Sequence, residues 1–393
     1  MDKKIKILLD IIVFVIAMGI IALIIITFNN AYDKSQIGEE NNVVKDNYKN
    51  EMANYIDEGN NEEEQQKNKQ INILATMSDE IKNNSIWCGT FQLVWNDLKN
   101  EVVKKDIVFE PQEIIADNLN KEEFRAEMLS DEYYYKNFGL KTLDLKTEIE
   151  NGIKQKFNQE SDILDNIDWT ETEDAEYLFY AMLYRKFEYL TKFDKLENGI
   201  FANQYENVKY FGINHTNKTE DALKAQYDQI QVLYYNSEDD FALLVNTKTN
   251  DEVIFCKGPE GRSFNEIYDN MNSKTDKFEG NNHFTKNDKF KAPVIEFNEE
   301  KRFEELEGKV FINSEGETGE IKDALQTIKL SLDENGGEIK SEAVISYVKS
   351  SISVLKEEKR YFILDDEFAL FLREKGKEKP YFAAKIDDIT NFQ

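Results

Sequence analysis

Apolar positions change their spacing along this chain, and the change divides it. Over residues 326–332 they alternate, with Ile328, Leu330 and Leu332 on one face, which predicts a half-buried strand. Asp333, Glu334, Asn335, Gly336 and Gly337 follow as a turn signal, the two glycines being free to adopt positive φ. Alternation then returns over 338–347, where Ile339, Ser341, Ala343, Ile345 and Tyr347 share one side and Val344 is the exception. A polar run at 356–360 precedes an apolar stretch at 361–372. A charged hairpin at 373–379 leads into a last strand at 380–386.

Upstream the spacing is mostly helical. Ile71, Leu74, Met77 and Ile81 predict a first amphipathic helix, and Phe91, Val94, Trp95, Leu98 and Val102 a second. Pro111 sits at a tolerated first-turn position of another helix. Leu145, Ile149, Ile153 and Phe157 form a narrow stripe on a helix that contains Gly152. Residues 176–194 read as an aromatic-rich strand, and 199–251 as strands throughout. Another strand is predicted at 252–257. Ser263 then caps a helix over 264–271, with Glu266 at capping-box spacing. A loop is expected at 273–289, and further strands at 292–297 and 310–313. Helices first and strands later make an α+β arrangement.

The amino terminus is of another kind. Lys3, Lys4 and Lys6 precede an apolar run at 7–28, which meets the roughly 20 residues needed to cross a bilayer. No polar face interrupts it, which argues against a buried core helix, and no good cleavage site follows. The expectation is a cytoplasmic tail at 1–6, a transmembrane signal-anchor helix at 7–28, and everything beyond on the extracytoplasmic side. Residues 29–70 are almost wholly polar and read as a tether, leaving 71–393 as the folded domain.

Charge and chemistry narrow the function classes. The 77 acidic and 49 basic residues give a net charge of −28, a surface that repels phosphate backbones and excludes nucleic acid as a natural partner. Cys88 and Cys256 could form one bridge, but each lies in an apolar stretch that suits a buried free thiol. The two histidines, His215 and His283, lie at no ligand spacing with a cysteine, so neither a metal site nor a cofactor is expected. No nucleophile, phosphate-loop or dinucleotide motif is present, and the chain does not read as an enzyme.

The carboxy-terminal order resembles that of a serpin, a serine protease inhibitor. Leu330, Ser331, Leu332, Glu334 and Gly336 resemble the strand and turn that feed a serpin's reactive loop. Asp365 with 368–372, and Pro380 with Tyr381 and Phe382, resemble the strand and hairpin that come after that loop. Asp366 and Glu367 depart from that signature, as does Gln326, where many serpins carry His.

The resemblance implies a serpin-like α+β fold of amino-terminal helices followed by antiparallel and mixed sheets. It also implies a bait loop near 346–360 that a serine or cysteine protease cuts and that then inserts as a strand. The implied hinge is Gly336, Gly337, Glu338, Ile339, Ser341 and Ala343. Counting on from Gly336 puts the cleavage region at Lys349, Ser350 and Ser351. Ile339 is bulky for a hinge, and Lys340 and Glu342 flank it with charge. Two functions stay open: a membrane-tethered protease inhibitor, or a non-inhibitory external binding or structural module.

Overall fold

The strands at 251–257 and 368–374 have apolar centres and are buried almost end to end, as strands covered on both faces must be, and they lie side by side. Around them the computed structural model describes residues 71–161, 163–170, 176–216, 218–339 and 359–393. The chain begins with β1 (Asn72–Leu74), β2 (Ser85–Cys88), α1 (Thr90–Asp97), α2 (Ile114–Asn120), β3 (Tyr134–Leu140) and α3 (Leu143–Phe157). Next come β4 (Tyr177–Leu183), β5 (Arg185–Glu188), β6 (Asp194–Lys195), β7 (Gly199–Phe201), β8 (Tyr205–Val208) and β9 (Tyr210–Gly212). The chain continues with α4 (Glu220–Asp228), β10 (Ile230–Ser237), β11 (Asp240–Asn246), β12 (Asp251–Lys257) and α5 (Phe264–Lys277). After these are β13 (Lys289–Pro293), β14 (Ile295–Arg302), β15 (Val310–Ile312), β16 (Thr318–Glu320), β17 (Leu325–Leu332) and β18 (Gly336–Ile339). The last are β19 (Tyr361–Ile363), β20 (Phe368–Glu374) and β21 (Phe382–Ile386).

The central sheet has the order β1-β2-β21-β20-β12-β11-β10, parallel only between β1 and β2. A second sheet, β14-β17-β18-β5, is antiparallel throughout. A third has the order β19-β13-β9-β6, and β3 pairs with β4 as a separate ribbon. A buried ion pair joins the second sheet to the first. Arg185 of β5 and Asp251 of β12 are both without solvent contact, and the guanidinium grips the carboxylate through two nitrogens. Tyr381 Oη donates to the same carboxylate at 2.8 Å, and the guanidinium lies 3.5 Å over the Tyr133 ring.

The helical stripe of α3 packs where its spacing requires. Leu145, Ile149, Ile153 and Phe157 are buried against Tyr180, Met182 and Tyr184. Gly152 is needed there, because a Cβ would lie 2.4 Å from the Tyr135 ring. Ser263 caps α5 by accepting from Glu266 N, while the Glu266 carboxylate reaches Arg262 N. Cys88 and Cys256 are buried free thiols.

Five expectations need correction. The first helix is absent: the Asp79 carboxylate accepts from Ala75 N and Thr76 N and folds a turn, while β1 pairs with β2. Gln112 makes a turn by accepting from Phe109 N at 2.6 Å, so α2 starts only at Ile114 rather than at Pro111. The stretch 199–251 is interrupted by α4, a helix capped by Thr219 that buries only Gln226 and Tyr227. The loop after α5 begins later than expected, since the helix runs to Lys277. Residues 361–372 are two strands in different sheets, parted where Asp365 takes Lys257 Nζ at 2.7 Å.

No helix among the described residues is long and apolar enough to cross a membrane, and the expected anchor at 7–28 and tether at 29–70 lie outside those residues. Asp251→Ala would leave Arg185 buried and unanswered. The expected loss is about 3–5 kcal/mol, read as a lower urea midpoint at an unchanged slope.

Candidate functional site

Because β17 ends in a tight turn, the chain doubles back beside itself. Asp333 N donates to Gly336 O at 2.9 Å, and the Asp333 carboxylate accepts from Asn335 N at 2.7 Å. Both glycines are forced by proximity to β5. A Cβ at Gly336, whose φ is +148°, would lie 2.1 Å from Phe187 O, and one at Gly337 would lie 2.5 Å from the Phe187 ring. Strand β18 then runs between β17 and β5, with Ile339 opposite Leu330 on one side and Arg185 on the other. Ile339 is only 2% exposed. The bulk that looked unsuited to a hinge is core.

Charges around the turn are matched locally. Buried Glu334 sits 3.3 Å from Lys192 and 3.6 Å from Lys195. Glu338 accepts from Tyr184 Oη at 2.9 Å and pairs with Lys186 at 3.1 Å. Burial pushes the Glu338 carboxyl up, but Lys186 and the Tyr184 hydroxyl outweigh it and hold it below the ordinary glutamate value.

Among the described residues β18 pairs with β17 as far as Leu330, and 325–329 has β14 on one side and no described strand on the other. Strand β4 likewise pairs with β3 alone among the described residues. Between β4 and β17 lies a cavity of about 140 Å³, headed by Ile339 and lined by Leu183, Ala181, Ile328 and Gln326. Thr90 and Phe91 of α1 close one side, and Ile163 and Ile167 the other. Gln326 donates to Cys88 O at 3.1 Å and Thr90 Oγ1 at 2.8 Å, yet its buried Oε1 has no hydrogen-bond partner. The Cys88 thiol also borders the cavity, and burial pushes it up to about 11, so it is inert.

The chain returns at a second fixed point. Arg360 is buried and clasps Asp288 through Nε at 3.0 Å and a terminal nitrogen at 2.8 Å. Its terminal nitrogens also donate to Asn281 O at 2.5 Å and His283 O at 2.7 Å. An accessible loop therefore cannot extend to Arg360, which corrects the expected 346–360. Of the expected hinge, Gly336, Gly337, Glu338 and Ile339 are already strand. Ser341, Ala343, Lys349, Ser350 and Ser351 lie outside the described residues.

The chain is similar to solved structures that include two insect serpins and a protease inhibitor. Serpin48 of the insect Tenebrio molitor is 14% identical, with 78% of this chain and 92% of that one covered, at a TM-score of 0.42. Serpin-12 of Manduca sexta is 11% identical, with 80% and 95% covered, at 0.46. The mouse protein-Z dependent protease inhibitor is 12% identical, with 78% and 91% covered, at 0.45. No family model matches the chain, and no curated protein does. Likeness at this level does not make the chain a member of the family.

Sequence reasoning missed Arg360 and Gln326 as site residues. An arginine ending a polar run gives no sign of burial, and the gap at Gln326 exists only in the order of strands.

Two outcomes test the site. Ile339→Arg would set an unpaired charge beside Leu330, so a loss of more than about 3 kcal/mol is expected by urea unfolding. The stability that Glu338 contributes is present above the unfolded glutamate value of about 4.3. It is lost as pH falls through the lower folded value. The expected result is weaker protection of the β18 amides, relative to their intrinsic exchange rates, below about pH 4 and little change in that protection between about pH 6 and 8.

Proposed function

We propose that this chain is a serpin-like bait protein held at a membrane, which inhibits a serine or cysteine protease by inserting its cut loop. The carrying observation is that β18 is paired on both sides and that, among the described residues, β4 and β17 below it have no strand between them. Unpaired edges are templates for strand addition. Continued in the present register, the chain would set Ser341 between Ile328 and Leu183, and Ala343 between Gln326 and Ala181. Both residues are small enough for the filled side over α1. A strand lying there brings backbone donors towards the unpartnered oxygen of Gln326.

Cutting the loop would not release the residues beyond it. Arg360 on Asp288, Arg373 on Glu252 and Tyr381 on Asp251 hold the carboxy-terminal piece, and two of its strands lie inside the central sheet. The run at 7–28 supplies the anchor, with the domain outside.

A second reading, a non-inhibitory binding module, draws on one residue. Glu342 would fall between Thr327 and Met182, on the side where α3 packs, and a carboxylate there opposes further insertion.

Incubation with serine and cysteine proteases separates the two. An inhibitor is expected to form an SDS-stable complex, and its cut form to melt well above the intact one. Cleavage with no complex and an unchanged melting temperature would favour the module. Protease added to intact cells is expected to digest the domain, and complete protection would overturn the topology.

A further inference from the structure

Leaving β9, the chain runs on beside β13, where Ile213 N donates to Phe290 O at 3.1 Å, and this brings His215 alongside Lys289. The Lys289 ammonium lies 3.2 Å from His215 Nδ1. An ammonium only donates, so Nδ1 accepts and the proton of the neutral imidazole sits on Nε2. That nitrogen is buried and has no hydrogen-bond partner among the described residues. Tyr227 is in the same condition. It is one of two residues that α4 buries, it is 7% exposed, and its hydroxyl has no partner among the described residues either. The His215 and Tyr227 rings are tilted at 32° with centroids 6.0 Å apart, and Phe284 lies against Tyr227 at 5.7 Å.

Other polar groups in this corner are satisfied. Gln226 donates to Lys192 O at 2.8 Å and accepts from Lys218 at 2.8 Å, while Asp194 takes Asn214 N at 2.9 Å and the Lys218 ammonium. Two neighbouring buried donors without acceptors call for a ligand that accepts, and the charge around them decides its sign. Lys289 from β13 and Lys218 face the imidazole with positive charge, against Asp194 from β6. Asp288, the carboxylate nearest Tyr227, is held by Arg360. The corner is net positive although the chain carries −28.

We infer that His215 Nε2, Tyr227 Oη and the Lys289 ammonium bind a small inorganic anion of about the size of chloride. A water would accept from both donors but would leave the charge unbalanced. The anion would join β9, α4 and β13 beside the point where the chain re-enters the fold, since Lys289 N donates to Arg360 O at 3.0 Å. Burial, then Lys289 and Lys218, hold the imidazole below the ordinary histidine value, with Asp194 opposing them. The stability of the neutral ring is therefore present above the unfolded value of about 6.5 and is lost as pH falls through the lower folded one. A bound anion offsets the repulsion between an imidazolium and the two lysines, so anion binding and protonation favour each other.

The test is an NMR pH titration of the full chain, isotope-labelled at its two histidines, in chloride and in gluconate at equal ionic strength. Matching the ionic strength removes general screening, and gluconate is too large for the site. His215 is expected to titrate at higher pH in chloride, with a response that saturates, and His283 is the internal control. Tyr227→Phe removes one donor and is expected to weaken chloride binding about tenfold. Lys289→Met is expected to weaken it by at least as much. In gluconate, Tyr227→Phe is expected to keep or raise the melting temperature, because it deletes an unpaired buried hydroxyl. In chloride it is expected to lower it. The same His215 titration in both salts would overturn the site and leave a water between the rings. A chloride response that survives Tyr227→Phe unchanged would also overturn it, by placing the anion elsewhere.

Discussion

A guanidinium without solvent contact must be answered by a carboxylate in the same place, and Arg185 on Asp251 is the constraint on which this arrangement turns. Desolvating each ion costs several kcal/mol. The carboxylate is therefore loaded with donors: Arg185 twice, Tyr381 Oη and Thr249 Oγ1. Those donors come from separate parts of the chain, so one buried charge ties β5, β12 and the approach to β21 together. Arg185 also stands where the long aromatic segment changes role. Tyr184 belongs to neither flanking strand, β5 continues into the sheet that holds β18, and β4 turns away to pair with β3. The pinned half of the segment is where β18 is seated, and the other half, β4, pairs with β3 alone among the described residues.

The second fixed point has the same chemistry at the other root. Arg360 fills its donors with Asp288 and two carbonyls, so residues beyond it are committed to the fold. Near the first root the acidic excess of the chain is cancelled by Lys186, Lys192 and Lys195. Surface pairs of this kind contribute little each. Their effect is that like-charge repulsion does not gather at the turn that feeds β18.

Much of this was legible in the sequence, because period and turn chemistry are local. The alternation of β17, the glycine pair and the stripe of α3 each state what lies on one face. The expectations that failed needed information from elsewhere in the chain. Residues 71–81 carry enough apolar residues for a helix, but Asp79 turns the backbone and β2 captures Asn72–Leu74. The short helix α4 buries too few apolar residues to leave a stripe. Arg185 and its carboxylate are 66 residues apart, and Arg360 and Asp288 are 72 apart. No window of local pattern spans either pair. The turn before β18 could be read from its glycines. The cavity beneath β18 could not, because it depends on which described strands lie side by side.

Chain length then decides why a cut would matter. A strand laid from 340 to 347 is roughly 27 Å long at about 3.4 Å per residue. Its lower end would lie near Tyr177, while the chain must return to Arg360, which is clamped to Asp288. The stretch left for that return, 348–358, reaches at most about 40 Å when fully extended. Inserting with the loop intact would hold both ends of this stretch and remove part of its conformational freedom, worth about 1–2 kcal/mol per residue fixed. A break anywhere within it removes the tether and leaves the pairing energy unopposed.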